Sequence, residues 1–170
     1  MHRIGEQIMY GAGGVMTIVD IREESIGDVC RSYYVLRPTL VKSESLTFVP
    51  TDNEKLVSAM HPLLTKDEIL ELLEYAKNAE PVEWVKENRA RQERFKKILD
   101  SGDRRKIVSM ICAINESARQ RETEGKRMFL SDENVKIRAE KLLHSEISVV
   151  FDIPEEQVRE FIEDKLSASR

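Results

Sequence analysis

The chain has 170 residues, 41% of them hydrophobic, and carries a formal net charge of −4 at pH 7. That length buries a real core, in one large domain or two small ones. The acidic balance excludes a generic nucleic-acid coat, so any nucleic-acid contact has to come from a local patch, and no apolar run approaches a membrane span or the core of a signal peptide.

Residues 1–64 read as strands. The segments 4–10, 15–22, 31–36 and 45–49 are short and rich in β-formers, and turn-forming stretches separate them at 11–14, 25–28 and 38–43. Four or five strands of this kind predict a small, strongly curved antiparallel sheet or barrel. Gly11-Ala12-Gly13-Gly14 invites a phosphate-loop reading, but no Gly-Lys-Ser/Thr follows and a strand comes next, so a tight turn with positive φ is expected.

After Pro62 the period becomes helical. Thr65-Lys66-Asp67-Glu68 matches a capping box, and Ile69, Leu72, Leu73 and Ala76 then form one apolar face. Pro81 breaks that helix. A second is predicted from about Trp84, the only tryptophan, to Asp100, and a third turns Ile107, Met110, Ile111, Ile114 and Ala118 inward. Residues 122–127 form a polar loop. Ser131 opens a fourth helix with Val135, Ala139, Leu142, Leu143 and Ile147 inward, and Pro154 takes the first position of a fifth. The expectation is an α+β chain of two domains: a β module, 1–64, and an all-α bundle, 65–170.

Catalytic and metal-binding patterns are missing from this sequence. His2, His61 and His144 are scattered without ligand spacing. No GxSxG and no paired histidine and carboxylate occur. Cys30 and Cys112 form no CxxC pair, and reduced thiols in a cytosol are expected. Neither an enzyme nor a cofactor is expected.

The charge in the stretch 84–106 departs from the rest of the chain. It holds nine basic residues against four acidic ones, while the whole chain is acidic. On a helical wheel Val85, Phe95, Ile98 and Leu99 gather on one side. Lys86, Arg89 and Lys97 fall opposite, interrupted by Glu93. A large aromatic beside a positive patch suits a protein that grips phosphates and presses against bases. The competing readings are a solvated helix face and a tryptophan that folds back onto the bundle.

The ordered set of segments resembles the CarD family of bacterial regulators that bind RNA polymerase. The N-terminal pieces are Ile4-Gly5-Glu6-Gln7-Ile8-Met9-Tyr10, Gly14-Val15, Tyr33-Tyr34-Val35-Leu36 and Leu46-Thr47-Phe48-Val49-Pro50. The C-terminal pieces are Glu80-Pro81-Val82-Glu83-Trp84, Lys97-Ile98-Leu99-Asp100-Ser101-Gly102-Asp103 and Leu130-Ser131-Asp132-Glu133.

The resemblance implies a Tudor-like β domain that docks on the RNA polymerase β subunit, and a helical domain that reaches promoter DNA at the upstream edge of the melted bubble. It places polymerase contacts at Arg22, Leu46, Phe48, Val49 and Pro50. Sequence-independent DNA contacts fall at Trp84, Lys86, Arg89 and Lys97. It further implies a cytoplasmic protein held near the nucleoid by the polymerase, a monomer, with no catalytic activity, cofactor or membrane partner. Gly11, Phe48, Glu87 and Asn134 depart from the family's usual residues. They motivate a second reading, a polymerase-bound adaptor whose helical domain recruits a protein. A cytosolic scaffold unrelated to transcription is the third.

Overall fold

In the computed structural model, which describes residues 1–168 apart from the side chains of Ala12 and Ile26, the chain divides into two units, Met1–Leu63 and Leu64–Arg170. The first unit is an antiparallel sheet and the second is helical, so the chain is α+β.

The sheet contains β1 (Gln7–Tyr10), β2 (Val15–Ile26), β3 (Val29–Pro38), β4 (Thr47–Pro50) and β5 (Met60–Pro62), in the order β4-β3-β2-β1-β5. A single 3-10 turn, Gly11–Gly13, joins β1 to β2, with Gly11 at φ +52° and Gly14 at φ +73°. Proline, locked near φ −65°, cannot take the Gly11 conformation. β2 and β3 run longer than expected because a two-residue turn, Gly27-Asp28, keeps them paired out to Ile26 and Val29. Gly27 has φ +64°, which favours glycine as the first residue of such a turn. The register slips between Ile18 and Asp20, leaving Val19 as the extra residue of a bulge.

Alternation along the strands sends Ile8, Met16, Ile18, Tyr34, Leu36, Val49 and Met60 into one core. Two elements lie outside the expected pattern. A five-residue helix, α1 (Glu54–Ser58), is capped by the Asn53 side chain, which accepts from the Leu56 amide. β5 follows it at once and pairs with β1.

The second unit contains α2 (Lys66–Lys77), α3 (Asn88–Ser101), α4 (Arg104–Thr123), α5 (Leu130–Phe151) and α6 (Glu155–Ser167). The capping box at Thr65 is present: its hydroxyl accepts from Glu68 N at 3.2 Å, and the Glu68 carboxylate accepts from Thr65 N at 2.7 Å. Two apolar clusters fill the interior. Phe95, Ile98, Ile107, Met110, Ile114, Val135 and Ala139 form one, and Ile69, Leu73, Ile147 and Val158 form the other. The 22-residue α5 contributes to both, so it ties the two clusters together.

Several helix starts differ from expectation. α3 begins at Asn88, not near Trp84, and Glu87 is its cap, accepting from Arg89 N and Ala90 N. α5 begins at Leu130 after Phe129, and the Ser131 hydroxyl donates instead to Asn88 Oδ1 at 3.1 Å. Pro154 stands at the cap of α6 and not inside it.

Candidate nucleic-acid interface

Residues 81–86 lead into α3 without helical structure. Pro81 has no amide hydrogen to donate, and the Val82 amide is tied to the Ser109 carbonyl on α4 at 3.2 Å. Trp84 follows, half-buried against the α3–α4–α5 cluster, with its ring centroid 6.1 Å from that of Phe95. The tryptophan both folds back onto the bundle and keeps part of its surface in solvent.

Arg91 lies beside the ring. It is 1% exposed, although it belongs to the basic stretch. Its Nε and Nη2 donate to the two carboxylate oxygens of buried Asp132, each at 3.0 Å. Nη1 donates to the carbonyls of Val85 and Lys86, and Nη2 also donates to Asn88 Oδ1. The guanidinium carbon lies 4.6 Å from the Trp84 ring centroid and 5.2 Å from that of Phe129. Gln92 Nε2 donates to Asp132 as well, at 2.7 Å. Spacing alone carries the signal for this burial: Arg91, Phe95 and Ile98 stand at i, i+4 and i+7, which puts Arg91 on the apolar stripe of α3.

A second basic residue is withdrawn in the same way. Arg104 is 8% exposed and forks onto Glu146 on α5, with contacts of 2.7 and 3.1 Å. Of the nine basic residues in the stretch 84–106, seven remain on the surface or half-exposed against the four acidic ones, a surplus of three. Lys86, Arg89 and Lys97 are all exposed. Lys86 precedes the helix, so only Arg89 and Lys97 share an α3 face. Glu93 lies between them at i,i+4 spacing, with its carboxylate 3.5 Å from Arg89 Nε. Glu87 serves as the helix cap and so has a structural reason to interrupt the basic run.

The polymerase-contact residues of the first unit separate into two groups. Val49 is fully buried in the sheet core, so its side chain cannot meet a partner. Phe48, its neighbour on β4, is 42% exposed, and Leu46 lies exposed just ahead of the strand. Arg22 on β2 reaches over the Phe48 ring at 5.9 Å, and Tyr33 on β3 meets the same ring edge-on at 6.2 Å. Asp20 accepts from the Arg22 guanidinium at 3.2 Å. The structure thus brings Arg22 and Phe48 together and removes Val49.

β4 is an edge of the sheet. Thr51 N donates to Ser32 O, which sets the alternation along the strand. The backbone of Thr47, Val49 and Thr51 faces β3, and that of Phe48 and Pro50 faces outward. Pro50 has no amide hydrogen, and its carbonyl accepts from Asn53 N at 3.2 Å. Within β4, the outward pairing groups are therefore the N–H and C=O of Phe48.

Among the described residues, no group of three or more His, Cys, Asp or Glu is placed to hold a metal ion. No helix among them is long and apolar enough to cross a membrane. Cys30 and Cys112 are free thiols, and burial pushes the Cys112 thiol up. No protein-family model matches this chain, and no curated protein matches it.

Proposed function

We propose that this chain is a CarD-like transcription regulator. In this reading the β unit is Tudor-like and docks on the RNA polymerase β subunit. The helical unit touches promoter DNA at the upstream edge of the bubble and modulates open-complex stability. The observation that carries the reading is Trp84. It is the sole tryptophan, half-exposed on a non-helical segment, with exposed Lys86 and Arg89 close behind it in the chain.

The parts fit a division of labour. A partner strand pairs with the β4 edge at Phe48 and packs on the Phe48, Arg22 and Tyr33 side chains. Tethering to polymerase then raises the effective concentration of the helical unit at the promoter, so a surplus of three positive charges suffices for DNA contact. Lys86, Arg89 and Lys97 meet phosphates without reading sequence. Trp84 presses on the distorted minor groove and opposes bubble collapse. A differential stabilisation of about 1.4 kcal/mol changes the ratio of open to closed complex roughly tenfold. The protein acts as a cytoplasmic monomer without a cofactor.

The test uses the full chain. Binding to core RNA polymerase and the lifetime of the open promoter complex are measured for wild type, Phe48→Asp and Trp84→Ala. Phe48→Asp is expected to lose both activities, and Trp84→Ala only the second. Wild-type protein that does not bind polymerase sinks the reading.

One observation favours the adaptor reading of the helical unit. A cleft of about 310 Å³ beside Trp84 is lined by Glu83, Glu116, Ser117 and Gln120. Two carboxylates against an indole suit a cationic side chain of a protein better than a phosphate. Promoter crosslinking from a photoreactive group at Lys86 separates the two, since the adaptor reading predicts crosslinks to protein alone.

A further inference from the structure

We infer that Arg91 is a positioning residue for Trp84: held by Asp132, it sets the pose in which the indole faces the promoter, and does not itself touch DNA. The inference rests on the proposed role of Trp84.

A guanidinium has five N–H groups in a fixed plane, and all five of Arg91 have an acceptor. Asp132 takes two in a fork, which fixes the plane. Two others go to the carbonyls of Val85 and Lys86, the residues that directly follow Trp84. The flat face left over covers the indole at 4.6 Å. Three constraints thus bear on a stretch with no helical or strand hydrogen bonds of its own.

The ring also packs on Phe95, which sets its depth against the bundle, while the remaining ties hold the backbone ahead of it. Val82 N bonds to Ser109 O, and Glu83 lies 3.7 Å from Arg94. Arg91 has a second aromatic neighbour. Phe129 stands at 5.2 Å, and Arg121 stacks on Phe129 at 3.8 Å. The ladder Trp84, Arg91, Phe129, Arg121 alternates ring and cation, which favours each contact. A lysine cannot replace this: an ammonium is a point charge with three donors and no flat face.

The test exploits the sole tryptophan, whose fluorescence reports Trp84 alone. Acrylamide quenching is measured on full-length wild type and Arg91→Lys, and open-complex lifetime on these two, Trp84→Ala and the double variant, with far-ultraviolet circular dichroism as a folding control. Arg91→Lys is expected to keep its helical spectrum while its tryptophan becomes more readily quenched. The open complex should shorten by about the same factor as in Trp84→Ala, and the double variant should lose nothing more. Unchanged quenching in folded Arg91→Lys, or a lifetime loss that multiplies with that of Trp84→Ala, overturns the inference. If Arg91→Lys does not fold, Asn88→Ala removes one acceptor of Nη2 at an exposed site. A smaller rise in quenching is then expected, and none overturns it. If Trp84→Ala leaves the lifetime unchanged, the promoter role of Trp84 has failed. The quenching arm still reports whether Arg91 sets the pose of the ring.

Discussion

Arg104 and Glu146 lie 42 residues apart in sequence and meet as a buried, two-pronged ion pair. Glu146 Oε1 also accepts from Leu64 N at 2.8 Å, the first amide of the helical unit, and Arg104 Nη1 donates to the Gly102 carbonyl at 2.7 Å. The pair therefore joins α5, the start of α4 and the point where the chain enters the helical unit. Removing Glu146 takes away the carboxylate on which both the Arg104 fork and the Leu64 amide depend. Glu146→Ala is expected to destabilise the helical unit by about 3–5 kcal/mol. Urea unfolding followed by circular dichroism measures it, and a loss below about 1 kcal/mol would show that the pair is not a structural anchor.

Trp84→Ala should have an intermediate effect on stability. The ring is half-buried and packs on Phe95 and Arg91. The loss should fall below the roughly 3–5 kcal/mol of a fully buried tryptophan, with a cooperative transition retained. A melted helical unit at room temperature would make this residue purely structural.

Charge reversal of Lys86, Arg89 and Lys97 together should weaken open-complex stabilisation on every promoter tested. For each phosphate that the variant no longer neutralises, the salt slope should fall by about 0.9. The slope is read from binding across a salt series. An unchanged slope favours the adaptor reading of the helical unit.

Phe48 and Val49 should behave oppositely although they are adjacent. Phe48→Asp changes a side chain that is 42% exposed, so stability should hold while polymerase binding falls. Val49→Ala removes two methyl groups from a fully buried site, and a loss of roughly 2 kcal/mol is expected. Paired thermal melts and polymerase pull-downs distinguish the two.

His144 supplies a pH dependence. Burial, the largest cause, pushes its pKa below the ordinary 6.5, outweighing Glu140. The folded state thus binds this proton less readily than the unfolded chain. Stability contributed here is present above about 6.5 and is lost as pH falls from there through the lower folded value. Wild type should lose more melting temperature than His144→Asn on acidification from neutral pH. Parallel curves for the two would rule this out.

The long elements are legible in the sequence because their residues carry redundant signals. Thr65 and Glu68 announce a capping box that the structure contains, and α4 repeats its inward positions over about three turns. The start of α3 is harder to read, because Pro81 and Trp84 resemble an N-terminus. The actual cap is Glu87, a residue type that rarely announces one. α1 and β5 are too short for any period to show. Charge marks Arg91 as a surface residue, while its place on the apolar stripe marks it as buried, and the stripe prevails. Its partner Asp132 lies 41 residues away, a pairing no local pattern reveals. Val49 falls within a segment of exposed neighbours, although strand alternation alone assigns it to the opposite face from Phe48.

Pro50 limits what the sheet edge accepts. With its nitrogen lacking a hydrogen and its carbonyl engaged by Asn53, a strand laid along β4 finds one residue, Phe48, with which to exchange both bonds. No second rung exists further on within β4. The β4 edge is a short socket: the backbone gives an incoming strand a single rung, the choice of which residue fills it falls to the side chains around Phe48, and β4 offers no long ladder for edge-to-edge stacking.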